Sequence, residues 1–221
     1  MSEDLLALIR RWDDFLARIR TRADAVLDEA REGCLALFHQ HDGEPTAMSN
    51  ALPAVRQRLL DLAEKADAAW LHQVSAAFDA AGASAQQEAR EFAKARALRD
   101  GLDAAFEEFE VRLHADASRM IWARLAPRLP RQIFCTQCGT PLPLPLLFCA
   151  SNLSCPSCTA VVTYEPGDGR IAQAYIIPKL AHEAAWEVHA GAETLPRPPE
   201  LVAHADFGRE LAQWQRRLSP P

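Results

Sequence analysis

Glycine is scarce in this chain: 9 among 221 residues, and none of them assembles a phosphate loop. G-x-G-x-x-G and G-x-S-x-G are both missing, which removes the dinucleotide-binding turn and the hydrolase nucleophile elbow. The 7 histidines form no H-E-x-x-H, and the two-Glu-plus-E-x-x-H pattern of a di-iron bundle is absent. No window approaches the ~18 to 20 uninterrupted apolar residues of a membrane span. A basic surplus is lacking too. The formal charge of −6 and pI near 5.7 argue against a protein built to coat phosphate backbones. The opening residues Met1-Ser2-Glu3-Asp4 are acidic where a signal peptide is basic, so a cytoplasmic protein is expected.

What is present is ordinary globular material, 49% hydrophobic and 24% charged, which excludes wholesale disorder. The composition changes twice along the chain and predicts three parts. Residues 1–126 are a helical bundle or coiled-coil domain, 127–180 a small β module, and 181–221 a helical tail packing on the bundle or on a partner. The first part is rich in Ala, Leu, Arg and Glu, with 16 basic and 22 acidic side chains interleaved. Interleaving of this kind makes a solvated, ion-paired face before it makes a binding stripe.

Leu5, Ile9, Trp12, Leu16, Ile19, Ala23, Val26 and Ala30 alternate spacings of four and three, an a/d seam of period ~3.5. His41-Asp42-Gly43-Glu44-Pro45 ends it. A second helix is expected from a cap at Ser49 or Asn50, with Pro53 in its first turn and Gly82 just past its end. Ser84 caps a third, with Phe92, Leu98, Leu102, Ala105, Phe109, Leu113 and Met120 inward, running to Pro127. The fold class follows: mostly α, an elongated antiparallel bundle of three long helices, then a small β ribbon and C-terminal helices. The narrow seams would equally serve to pair two chains.

Beyond residue 127 prolines multiply, and the basic and acidic counts drop to four and two up to residue 180. Ala160–Tyr164 reads as a strand, Glu165–Arg170 as turn chemistry, and Ile171–Ile177 as the returning strand. Pro141-Leu142-Pro143-Leu144-Pro145 cannot be a central strand. The tail predicts a short helix over Ala181–Ala190 with Trp186, a break at Pro196–Pro199, and a helix over Glu200–Leu218 carrying Leu201, Phe207, Leu211 and Trp214. No sequence repeat is convincing.

Of six cysteines, five lie within 24 residues, whereas only Cys34 precedes Cys135. Clustering reads as metal ligation before crosslinking. Cys135-Thr136-Gln137-Cys138-Gly139 is followed after sixteen residues by Cys155-Pro156-Ser157-Cys158. Two residues between cysteines let one tight turn aim both sulfurs at one ion, and Gly139 permits left-handed geometry there. Four thiolates satisfy tetrahedral zinc and leave no open position. Rubredoxin-type iron and a redox dithiol stand as alternatives. So does Cys149 as a replacement ligand, although Cys149 and Cys34 read first as small buried residues. His39, His41, Asp42 and Glu44 form a weaker metal candidate at a helix end.

Over residues 133–177 the segment resembles the zinc-ribbon superfamily, with its two rubredoxin-like knuckles on antiparallel hairpins. It departs from the common form at Thr159, where glycine usually stands. The resemblance implies a fold and one structural Zn²⁺ on Cys135, Cys138, Cys155 and Cys158, not an activity. Such a module of some fifty residues is near the size that needs a metal staple.

Three function classes follow. The preferred one is a non-catalytic scaffold or adaptor that binds protein partners, with homo-oligomerisation open. A nucleic-acid- or transcription-associated factor is second, disfavoured by the sparse basic residues. An enzyme with a site between bundle and tail is third, without a catalytic motif in support.

Overall fold

The structure, a computed structural model, describes residues 3–190 and 200–218. The chain is mostly helical and divides into two compact units, Met1–Glu110 and Val111–Pro221.

In the first unit α1 (Glu3–Gln40) and α2 (Pro45–Ala69) pack against each other. A π-turn (Trp70–Val74) and a short α3 (Ser75–Ala80) continue α2, and α4 (Ala85–Leu125) begins after Gly82. Side-chain partners fix the directions. Trp12 meets Trp70 and donates to the Glu91 carbonyl, while further along α1 Glu29 pairs with Arg58. Hence α2 runs antiparallel to α1, and Arg20 beneath Gly101 sets α4 parallel to α1. This is the expected three-helix, up-down-up arrangement.

Every seam residue of α1 named from the sequence is buried except Ile9, which is half-buried. Trp12, Trp70, Phe78 and Phe92 form an aromatic centre with Trp70 in the middle, its ring centroid 5.5 to 5.6 Å from the other three. Edge-offset contacts at such distances add roughly 0.5–1.5 kcal/mol each beyond area burial.

Two helix boundaries follow the sequence closely. Ser84 and Gln87 form a reciprocal capping box: the Gln87 N–H reaches Ser84 Oγ at 3.3 Å and the Ser84 N–H reaches Gln87 Oε1 at 2.8 Å. Gly82, at φ 72°, closes α3 with bonds from Ala83 N–H to Phe78 O and from Gly82 N–H to Asp79 O.

The start of α2 differs from expectation. The helix begins at Pro45, not at Ser49 or Asn50, and Pro53 lies inside it. An interior proline costs ~3 kcal/mol or more. Extending the helix backward buries Met48 at 0% exposure on the stripe that holds Leu52 and Val55. Such burial is worth about 1.5–3 kcal/mol and offsets much of the cost.

The second unit takes over the last turns of α4. There Val111, Leu113, His114, Ala115, Ala117, Ser118, Ile121 and Leu125 are all buried. A 3.5-residue seam no longer describes the helix, because its neighbours cover a wider stripe and leave Arg112, Arg119, Ala123 and Arg124 exposed. Met120 is consequently only half-buried and Ile121 takes the core place, just as Phe106 does ahead of Phe109.

A 3₁₀ turn (Ala126–Arg128) leads into two short antiparallel hairpins. The first pairs β1 (Gln132–Phe134) with β2 (Pro141–Pro143), the second β3 (Ser151–Ser154) with β4 (Val161–Tyr164). Their registers coincide at an offset of twenty residues: Ile133 faces Leu142 as Leu153 faces Val162. The backbone thus contains a repeat that the side chains conceal. Between the hairpins lies a small core of Cys135, Leu142, Cys155 and Val162, with Ile133, Leu153, Cys158 and Ala160 packed on it.

The stretch Ile171–Ile177 is not a returning strand. Beyond a 3₁₀ turn (Gly167–Gly169), Ala172–Ile176 forms a π-turn that runs into α5 (Ile177–Ala190). β4 finds its partner upstream in β3, so no strand is needed afterwards. Ala172, Ile176, Ile177, Leu180 and Ala181 are each at most 2% exposed, a helical spacing that buries one continuous stripe. The last helix, α6 (Glu200–Leu218), packs against α5. The proline break Pro196–Pro199 lies outside the described residues, as do the side chains of Leu201 and Phe207.

Candidate metal centre

Each C-x-x-C pair sits in a tight turn at the end of its hairpin, built from two backbone bonds. In the first knuckle the Cys135 N–H donates to Thr140 O at 2.9 Å and the Gly139 N–H to Cys135 O at 2.9 Å. In the second the Cys155 N–H donates to Ala160 O at 2.8 Å and the Thr159 N–H to Cys155 O at 3.0 Å. Gly139 has φ 74° and Thr159 φ 61°. Threonine therefore adopts the left-handed conformation that glycine supplies in the first knuckle, and the two turns match.

The pairing of knuckles brings all four sulfurs within 4.8 Å of one another. Cys135 Sγ lies 3.6 Å from Cys158 Sγ, and Cys138 Sγ lies 3.5 Å from Cys155 Sγ. All six cysteines are free. A tetrahedron with metal–sulfur bonds of ~2.3 Å has edges of about 3.8 Å, close to these separations. Disulfides, at ~2.05 Å, would draw the sulfurs far nearer. Four cysteines are thus gathered as a group able to hold a metal ion.

Their surroundings are unequal. Cys135 and Cys155 are buried at 3% and 2% exposure, Cys158 is half-buried and Cys138 is exposed. Hydrogen bonds from the Thr140 side chain and backbone draw the Cys138 thiol down to about 6. At Cys158 the Ala160 N–H also pulls downward, but contact with Cys138, burial, and contact with Cys135 and Cys155 outweigh it and push the thiol up to about 12. Packed thiols cannot all ionise together, and a cation that replaces their protons removes that conflict.

Spacing alone did not reveal Thr140 and Ser157. Thr140 Oγ1 stands 3.2 Å from Cys138 Sγ and shares a hydrogen bond with Ser157 Oγ at 3.0 Å, tying one knuckle to the other outside the sulfurs. The only signal was position: Thr140 is second after Cys138, and Ser157 immediately precedes Cys158.

The remaining candidates fall elsewhere. Cys149 is half-buried, hydrogen-bonds Gln173 Oε1 at 3.3 Å and does not join the four. Cys34 is buried in α1, and burial raises its thiol. Among the described residues, His39, His41, Asp42 and Glu44 do not gather into a metal-holding group.

A second polar constellation escaped the sequence reading. His114 Nδ1 lies 2.7 Å from Tyr175 Oη, with His114 only 5% exposed. Burial, with Lys179 and His182 adding positive charge, lowers this imidazole to about 4. Burial raises the Tyr175 phenol to about 12. A neutral phenol and a neutral imidazole therefore share this hydrogen bond. Nearby on the same two helices, Arg119 pairs with Glu183 and with Asp116.

Fold and site define a mostly helical protein carrying a four-cysteine centre on paired β-hairpins. No protein-family model, curated protein or solved structure matches this chain. Among the described residues no helix is long and apolar enough to cross a membrane.

Proposed function

We propose that Cys135, Cys138, Cys155 and Cys158 bind one zinc ion as a structural centre of zinc-ribbon type. The observation that carries this is the gathering of all four sulfurs within 4.8 Å at the ends of two matched knuckles. The small core between the hairpins supports it, since eight residues of mainly small side chains supply little burial free energy. Zinc ligation worth an apparent ~10–16 kcal/mol in small metal domains would make up the difference. Four sulfurs close the coordination sphere and leave no place for a substrate or an activated water. Thiolates of this kind persist in a reducing compartment, and we place the protein in the cytoplasm on that ground.

On this basis the protein is an adaptor: long helices and a metal-stapled ribbon offered to protein partners, with no chemistry of its own. Elemental analysis of protein purified under reducing conditions tests the first half, with one zinc per chain expected. Iron in that position, or no metal, overturns it. Side-by-side affinity capture with wild type and Cys135→Ser tests the second: a specific partner should be lost with the ribbon. Salt-sensitive retention on DNA would instead favour the nucleic-acid reading.

A further inference from the structure

Antiparallel pairing alternates residues that bond across the ladder with residues whose N–H and C=O point outward. In the first hairpin, bonds from Cys135 N–H to Thr140 O and from Leu144 N–H to Arg131 O set that alternation. Pro141 and Pro143 then take the outward positions of β2. Proline has no N–H to offer, so this edge is closed to another strand.

In the second hairpin the bond from Cys155 N–H to Ala160 O sets the same alternation. The places of Pro141 and Pro143 are filled by Val161 and Thr163. Both are exposed, Val161 at 64%. Both are β-branched, the type that suits a pleated partner, and each keeps its N–H. Among the described residues each hairpin is a two-stranded sheet, and no backbone bond from another element reaches Val161 or Thr163.

Edges are ordinarily defended by charge, proline or a bulge. Val161–Tyr164 has none of these. The other edges are poorer: β3 turns Asn152 and Ser154 outward, and β1 is three residues long behind Pro130.

We propose that the outer edge of β4 takes up an extended peptide segment of a partner protein by strand addition, Val161 and Thr163 supplying the backbone bonds. The inference rests on the adaptor reading and gives that reading a surface. The edge selects its occupant. No charged side chain lies within Val161–Tyr164, and Glu165, which closes β4, is paired with Arg170. An uncharged, β-branched partner segment is therefore favoured. A second copy would meet this edge across four residues a side, a contact far smaller than a stable dimer needs.

The test is selection from a displayed library of short random peptides on the full chain carrying its metal. Val161→Pro with Thr163→Pro is the counter-target, since the sister hairpin already accommodates proline at those two register positions. Proline-free, uncharged peptides with alternating β-branched residues should enrich on wild type and bind the variant at least about tenfold more weakly, ~1.4 kcal/mol. Their binding should slow hydrogen exchange at the Val161 and Thr163 amides.

Metal content, measured on both proteins, is the folding control. If the prolines disturb it, Val161→Lys with Thr163→Lys replaces them. Peptides that bind both proteins equally, or no enrichment above the variant, overturn the proposal, as does self-association of wild type that the prolines abolish. Absence of metal from wild type would sink the metal centre, while a metal-loaded wild type that selects nothing would sink the edge alone.

Discussion

Thr159 holds a backbone conformation that costs an ordinary residue ~1–2 kcal/mol, and Gly139 holds its counterpart for nothing. The strain persists because the Thr159 N–H closes the second knuckle on Cys155 O. Gly139→Ala should therefore destabilise the first knuckle by about 1 kcal/mol or more, although the added Cβ meets no atom within 4 Å. Thr159→Gly should do the reverse, by less, because glycine gives back entropy in the unfolded chain. The chelator concentration that strips half the metal checks both: lower for Gly139→Ala, equal or higher for Thr159→Gly. His114 sets a second expectation. Its imidazole titrates near 6.5 when unfolded and at about 4 when folded, so its full contribution is present above 6.5. Stability is lost as pH falls from 6.5 towards 4, by roughly 3 kcal/mol in all, because only the unfolded state takes up the proton there. His114→Gln, which keeps a hydrogen-bonding partner for Tyr175 and cannot titrate, should flatten urea-unfolding stability across that window relative to wild type.

Among the elements, those set by local chemistry were legible. The Ser84 and Gly82 caps could be read because their partners lie within five residues of them. Ser84→Ala should cost about 1 kcal/mol of stability in thermal or denaturant unfolding. The C-x-x-C knuckles were legible for the same reason: a four-residue turn defines its own geometry. By contrast, β3 was missed, since Ser151-Asn152-Leu153-Ser154 has little strand character and is a strand only because β4 lies opposite. Ile171–Ile177 misled in the other direction. Its β-branched and aromatic residues suit a strand, but no edge waits for them and a helix buries them. Pro53 shows the same competition, with burial of Met48 set against a broken ladder.

For the whole molecule, the division into Met1–Glu110 and Val111–Pro221 gives different supports to each half. The first unit relies on helix seams and the aromatic centre. Trp12→Ala, removing a side chain 2% exposed, should cost about 3–5 kcal/mol there and leave metal content unchanged. The second unit contains Cys135, Cys138, Cys155 and Cys158. Cys135→Ser should abolish metal binding and unfold the hairpins while the helical dichroism of residues 1–110 is kept; global loss of helix would show that the ribbon supports the entire chain.

Sequence alone determined the three long helices, the caps at Ser84 and Gly82 and the four sulfur donors, because periodicity and two-residue spacing act over a few residues of chain. Tertiary structure decided which strand meets which, that α4 buries a wider stripe past residue 110, and that Thr140 and Ser157 clasp the knuckles. Each of these depends on groups brought together from distant positions, whose mutual burial and hydrogen bonds no local propensity encodes.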